Sequence, residues 1–399
     1  MLTAVAILIS FAGMLWWGLM LYGAVRLGGV ARLGDVPSPP ADFVWPRLSV
    51  VIPARDEATR IGGAFATLLE QDYPDLELIP VDDRSTDGTG EVVARLAAGD
   101  ARVKPVRVET LPDGWLGKVN AMEAGFRRAT GEYLLFTDAD VHFAPGTLRR
   151  AVAFAQARRL DHLSALPSIL TSGLLTDLLM ISFLRPLLAV VVRPWKVSDP
   201  RSGAFCGIGA FNLVRRGRLA ERGGFSWLRM EIGDDMGLGL MMKRNGGRSD
   251  VVSAAGSVKV RWLSSPIEAL RAAERADATA LGNSPVQALG VIVGGPLLEL
   301  APLWLLLLPL LAPVTWTVPA GGLLLALQIG ACSLISIRLG APLAASLLSP
   351  LGSLAGSVGF LRALVISRLR GGVIWRGTLY RRGQLQAGSR IGIGRLREK

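Results

Sequence analysis

The chain has 399 residues, of which 50% are hydrophobic and only 19% charged, with a mean hydropathy of +0.40. That balance excludes a single ordinary soluble domain, and two cysteines in different regions, Cys206 and Cys332, exclude a disulfide-stapled scaffold. The net charge of +12 lies largely in the carboxy-terminal tail and near the ends of apolar segments, where attraction to anionic lipid accounts for it; no basic face with interleaved aromatics marks a nucleic-acid module.

Leu2 to Val25 form an apolar stretch without charge, followed by Arg26 and Arg32, and long enough to cross a bilayer. It lacks a positive amino-terminal region and an A-x-A-like cleavage site, so a transmembrane anchor over residues 1–26 is expected rather than a signal peptide. Arginines after the helix put the next segment in the cytoplasm. Over residues 41–277 short apolar runs alternate with amphipathic helices, which predicts an α/β domain. Leu48–Ile52 reads as the first strand and Pro53–Glu57 as its loop, and Ile61, Phe65, Leu68 and Leu69 then recur at helical spacing. A second buried strand, Leu76–Val81, ends at Asp82-Asp83, and Asp87 in the turn beyond is placed to cap the next helix. Gly114–Ala121 sets Lys118 at a helix start, where a lysine meets phosphate as a point charge, although a lone lysine there is more often solvated.

Tyr133–Phe136 is a third strand, followed by Asp138-Ala139-Asp140. Ligands of open α/β sheets collect at the carboxyl ends of strands, so both acidic clusters are expected to face one crevice. Paired carboxylates favour a hard, oxygen-liganded cation, Mg²⁺ or Mn²⁺, and such ions usually bring phosphates. Asp234-Asp235 opens the helical pattern of Met236, Leu240 and Met241, where aspartate is also an ordinary cap.

From 286 to 366 the chain turns apolar again, in three segments: Val286–Ala312, Val318–Ile337 and Leu343–Ile366. The tail over 367–399 is rich in arginine, including Arg395 and Arg397, and is expected in the cytoplasm. Three crossings from a cytoplasmic domain would put it outside. The third segment, holding Pro350, Gly352, Gly356 and Gly359, is therefore expected to be re-entrant or broken, leaving two or three membrane segments.

Six stretches carry a resemblance in the expected order: Val51–Glu57, Val81–Thr89, Gly117–Ala121, Thr137–Asp140, Gly223–Phe225 and Asp234-Asp235. Together they resemble family 2 glycosyltransferases. The membrane-anchored layout and the tail Gly372–Tyr380 look like the branch that glycosylates hopanoids, carotenoids or ceramide. The resemblance implies a GT-A nucleotide-diphosphosugar transferase fold, with a single mixed sheet between helices and transmembrane helices at both ends of the chain. It implies that Pro53, Arg55, Glu57 and Asp83 line the nucleoside pocket, that Lys118 approaches the diphosphate, and that Asp138 and Asp140 form a D-x-D site. Asp140 is there the more direct metal ligand, and His142 offers a lesser Asp-x-His alternative. Asp235 takes the general base's place, with Glu231 close enough to be confused with it.

Gly173–Val192 is apolar but holds Asp177, Arg185 and Pro186. A single crossing there would separate Asp140 from Asp235, so residues 173–193 are expected at the membrane interface, where they could bring a lipid acceptor to the site. The activity so implied is inverting transfer of one sugar from a nucleotide sugar to a membrane lipid. The runner-up is a processive polysaccharide synthase, whose Q-x-x-R-W element is matched by Arg261-Trp262 but has Val258 in place of glutamine. A non-catalytic membrane scaffold with a nucleotide-binding fold comes third.

Overall fold

The structure, a computed structural model, describes residues 2–40, 42–279 and 285–392. Ala41, where the α/β domain is expected to begin, and Arg395 and Arg397 of the tail lie outside the described residues. In chain order, α1 (Leu2–Leu27) precedes β1 (Leu48–Ala54), α2 (Ile61–Leu69), β2 (Leu76–Asp83), α3 (Thr89–Gly99), β3 (Val106–Val108), α4 (Gly117–Arg128) and β4 (Tyr133–Phe136). Then come β5 (His142–Phe143), α5 (Thr147–Ala157), β6 (His162–Ile169), α6 (Leu174–Pro186), β7 (Asn212–Arg215), α7 (Arg216–Ala220), α8 (Asp234–Arg244) and β8 (Ser249–Val260). The remainder is α9 (Pro266–Thr279), α10 (Pro285–Glu299), α11 (Ala301–Leu307), α12 (Thr317–Leu339), α13 (Leu343–Leu369), β9 (Gly372–Trp375), β10 (Thr378–Arg381) and α14 (Arg382–Gly388).

The chain divides into two compact units. One, comprising Val30–Leu170, Lys196–Arg261 and Ile374–Lys399, is an α/β domain around a mixed sheet in the order β3-β2-β1-β4-β7-β6-β8-β5. Strands β1 and β2 are buried at every position, as parallel strands covered on both faces must be. The core joins Val50 and Ile52 of β1 to Leu78 of β2, Leu135 of β4, Phe211, and Phe65 and Leu68 of α2. Asp87 does not occupy the cap itself. Gly88, with φ at 93°, takes that position, while Asp87 accepts the N–H of Thr89 at 3.0 Å.

The other unit is helical and comprises Met1–Gly29, Thr171–Trp195 and Trp262–Val373. Among the described residues, Leu2–Leu27, Leu174–Lys196, Thr317–Leu339 and Leu343–Leu369 are each long and apolar enough to cross a membrane. Val286–Glu299 and Ala301–Leu310 qualify together as a pair bent by 59°. Gly13 of α1 packs on Ala301 and Leu324, and Gly28 packs on the guanidinium of Arg338, so α1 and α12 run side by side with their carboxyl ends together. Helix α13 lies along α6 and α9: Gly352 meets Leu178 and Ser182, and Arg362 and Arg370 pair with Glu274 at 2.7 and 3.2 Å. A buried ion pair, Arg185 with Glu299, is completed by Trp16, whose indole N–H donates to Glu299 at 3.0 Å.

The break expected in the third apolar segment falls in the first. Helix α13 is continuous through Pro350, because the Ser346 carbonyl that proline leaves without an N–H donor accepts the Ser349 hydroxyl at 2.7 Å. The first segment breaks at Leu300, two residues before Pro302, which likewise lacks the N–H that would continue the helix across the junction.

Candidate active site

Strand register builds the site. Ala54 aligns with Asp82 and Val51 with Phe136 in parallel ladders, so Arg55, Asp83 and Asp138 all leave the sheet at the carboxyl ends of neighbouring strands. Strand β7 runs antiparallel to β4 with Asn212 opposite Phe136, which returns the loop before β7 to the same edge. A pocket there is lined by Pro53, Lys118, Thr137, Asp138, Gly209 and Asp235 among others.

Gly209 joins the two acidic motifs. Its carbonyl accepts the Asp138 N–H at 3.0 Å, and its own N–H donates to Asp235 Oδ2 at 2.9 Å. A Cβ at this position would stand 2.6 Å from Asp138 Oδ2, so the approach requires glycine. Asp235 Oδ1 accepts the Met236 N–H at 2.7 Å, which fixes the second oxygen of that carboxylate at the start of α8. Lys118, near the start of α4, is buried between the motifs, with its ammonium 2.8 Å from Asp138 and 3.2 Å from Asp234.

This crowding sets the protonation balance. Burial opposes the Lys118 charge, yet Asp138, Asp234 and Asp235 hold its ammonium above the ordinary lysine range. Burial raises the Asp138 carboxyl, but Lys118, with help from Arg376, brings it below the usual carboxylate range. Asp234 and Asp235 are both pushed up by burial, against the pull of Lys118. Burial and then the Asp138 charge lift Asp140, opposed by Arg60 and Arg376. Burial lifts Glu57 as well; Arg376 opposes it, and the charges of Asp140 and Asp138 add to the rise.

Glu57 thus belongs beside the D-x-D carboxylates. Asp83, 1% exposed, is held by Arg84 at 2.8 and 3.1 Å, with Arg55 4.0 Å away. Glu231 stands apart from the cluster: its fully buried carboxylate accepts the N–H groups of Arg390 at 2.5 Å and Ile391 at 3.0 Å, anchoring the tail. His142 pairs through its strand with Lys259 and packs toward Gly63 of α2. Among the described residues no three His, Cys, Asp or Glu side chains are placed to hold a metal ion by themselves. The donors nonetheless fit one. Asp138 and Asp140 are hard oxygen ligands, Asp140 is lifted by burial and then by the Asp138 charge, which a cation would relieve, and Mg²⁺ ordinarily takes only one or two carboxylates with substrate phosphates and water.

Sequence reasoning did not single out Gly209, Arg376 or Tyr380 as site residues. The Gly207-Ile208-Gly209 spacing was the available signal for the first. For the other two nothing local in the sequence links residues 376–380 to α4, where the Tyr380 hydroxyl accepts the Gly117 N–H at 3.1 Å.

Residues 49–168 match the family model of glycosyl transferase family 2. The chain is 34% identical over 103 residues, 26% of this chain and 32% of the relative, to the GalNAc(5)-diNAcBac-PP-undecaprenol beta-1,3-glucosyltransferase of Campylobacter jejuni. It is equally 34% identical, over 102 residues and 26% of each chain, to the 4,4'-diaponeurosporenoate glycosyltransferase of Staphylococcus aureus. It spans about a third of the length of the first curated relatives it matches. Among solved structures, a mannosyltransferase from Pyrobaculum calidifontis in complex with GDP-Man and Mn²⁺ aligns with a TM-score of 0.54 at 22% identity, over 92% of this chain and 99% of that one. The likeness to the solved structure shows a GT-A architecture, and residues 49–168 of that domain are similar to family 2 glycosyl transferases, in a chain that also carries long apolar helices.

Proposed function

We propose that this chain is an inverting glycosyltransferase that moves one sugar from a nucleotide-diphosphate sugar to a hydroxyl of a membrane lipid. The observation that carries the reading is the Gly209 bridge, which ties Asp138 of one motif to Asp235 of the other beside a buried lysine that pairs with Asp138 and Asp234. Asp235 takes the proton of the acceptor hydroxyl as that oxygen bonds to the anomeric carbon. The bond from that carbon to the diphosphate breaks, and the nucleoside diphosphate leaves with the electron pair. General base assistance of this kind contributes roughly 10² to 10⁴ in rate. Pro53, Arg55, Glu57 and Asp83 line the donor side, and Lys118 fixes the carboxylates. Asp140, with Asp138, would hold Mg²⁺ or Mn²⁺, which when bound supplies positive charge for the departing diphosphate.

A lipid acceptor is favoured by the apolar helices, and by the relatives whose names specify an undecaprenol-linked or a carotenoid-derived substrate. The processive alternative is weakened by Val258, fully buried opposite Phe143 of β5 where that reading wants a polar glutamine. We place the protein in the cell membrane as a multi-pass protein with its catalytic domain, residues 41–277, in the cytoplasm and its basic tail, 367–399, on the same side.

The test is detergent-purified protein with Mn²⁺ or Mg²⁺, a panel of nucleotide sugars and a membrane lipid extract, read by mass spectrometry. A lipid gaining a single sugar, absent with Asp235→Asn and Asp140→Asn, is the expected result. A long polymer would replace the proposal with the synthase reading, and no nucleoside diphosphate released from any donor would overturn it.

A further inference from the structure

The inference rests on the donor-transfer reading above and concerns the cation that meets the donor's diphosphate. Lys118 is the obvious choice from sequence, but its ammonium is engaged by Asp138 and Asp234. Arg84 is engaged by Asp83 through two hydrogen bonds. Another cation arrives from more than 250 residues further along the chain, on the β9–β10 hairpin, as the separation of Gly117 from its partner Tyr380 (263 residues) illustrates.

The hairpin turns through Arg376-Gly377, with φ at 46° and 76°. Two left-handed residues in a two-residue loop form a primed turn, which favours Asn-Gly and matches the twist of the strands. Glycine stands where expected. Arginine does not, since an L side chain in that conformation costs roughly 1 to 2 kcal/mol. Residues kept in an unfavoured conformation gather where function needs them. Tyr380, on the returning strand, accepts the Gly117 N–H at the start of α4 and so fixes the hairpin beside the helix that bears Lys118. Arg376 Nη1 is buried and has no hydrogen-bond partner, an unmet donor at a site rich in carboxylates. The charge of Arg376 also acts on Glu57, Asp138 and Asp140 together, so it lies within electrostatic reach of all three.

We propose that Arg376 is a diphosphate-contacting residue, held at the tip of the carboxy-terminal hairpin so that its unpartnered guanidinium nitrogen donates to the phosphate oxygens of the nucleotide sugar. A planar guanidinium suits this ligand better than an ammonium, because it presents parallel donors to phosphate oxygens. The tail segment is then part of the donor site, although it lies far outside the matched residues 49–168.

The test uses the full chain in detergent or nanodiscs, with Mn²⁺ present, titrated calorimetrically with UDP, GDP, ADP, CDP and dTDP. Arg376→Asn is the informative variant, because asparagine suits the left-handed position and keeps the turn. Its melting temperature should match or exceed that of the unmodified chain, while its affinity for the preferred nucleoside diphosphate falls by about tenfold or more, the scale of one charge-assisted hydrogen bond. Arg381→Ala, an exposed charge on the same hairpin, should leave affinity within about twofold, as expected for a surface charge that makes no contact. Unchanged affinity in Arg376→Asn overturns the inference alone, as does an equal loss in Arg381→Ala, which would mean a long-range field rather than a contact. Failure of the unmodified chain to bind any nucleoside diphosphate would overturn the donor-transfer reading and this inference with it.

Discussion

Asp235 differs from an ordinary helix-start aspartate because both of its oxygens are engaged, one by the Gly209 N–H and one by the Met236 N–H. Burial lifts its carboxyl, Lys118 opposes the rise, and Asp138 adds to it; Asp234, itself lifted, is the adjoining carboxylate. A base works unprotonated, so a raised value moves the loss of activity to higher pH. The acid limb of kcat/KM should therefore lie above the ordinary aspartate value of about 3.9, and a limb at or below it would remove Asp235 from the role. Asp235→Asn should lose roughly 10² to 10⁴ in kcat while still binding the nucleoside diphosphate, a split that a mere cap would not produce. Gly209→Ala reaches the same site from the backbone. Its added methyl would meet Asp138 Oδ2 at 2.6 Å and displace that carboxylate from Lys118. Turnover should fall about 10²-fold, as expected for a displacement near 1 Å of a reacting group. Circular dichroism should be unchanged, and full activity in the folded variant would show that the close approach is incidental.

Elements with local causes were legible in the sequence. Tyr133–Phe136 is a strand with the expected bounds, β1 and β2 run two residues beyond theirs, and Lys118 stands in the first turn of α4. Elements fixed by long-range partners were not. Pro350 looked like a breaker, but the Ser349 hydroxyl that rescues the free carbonyl cannot be weighed from spacing alone. Glu231 lies close enough in sequence to Asp235 to rival it as base, but its carboxylate is occupied by the tail. That contact makes the tail an element with its own testable stability, reinforced by Arg390, which stacks on Trp227 at 5.3 Å. Glu231→Ala would leave three N–H groups, those of Gly233, Arg390 and Ile391, without that acceptor, at a cost of about 1 to 3 kcal/mol each if they stay buried. The tail should instead release, so limited trypsin should cut at Arg381 and Arg382 faster than in the unmodified chain. Equal protection in the two proteins would show that other contacts hold the tail.

At the scale of the whole molecule, the packing within each unit constrains how the chain threads a bilayer. Residues 196–261 and the tail belong to one compact unit and share the Glu231 hydrogen bonds, so the chain between them must cross an even number of times. Residues 30–170 and 196–261 also share that unit, so the segment Leu174–Lys196, apolar as it is, makes no single crossing. Helix α1 leads directly into the α/β unit at Val30, and its carboxyl end adjoins that of α12 through Gly28 and Arg338. We propose that α12 ends on the same side as the α/β unit, and that α13, packed on α6 and α9, starts and finishes on that side. On this proposal the crossings are α1, the bent α10–α11 pair and α12, which would leave the arginine-rich tail on the side that positive-inside reasoning wants. In a background with the buried Cys206 and Cys332 replaced, single cysteines at Glu70, Gly340 and Gln384 should react with a membrane-impermeant maleimide only in inverted vesicles. A cysteine at the exposed Leu311, between α11 and α12, should react only in intact cells. Labelling of Gly340 from the side opposite Gln384 would make α13 a crossing helix and overturn this threading, and labelling of Gln384 from the side opposite Glu70 would be incompatible with a tail anchored at Glu231.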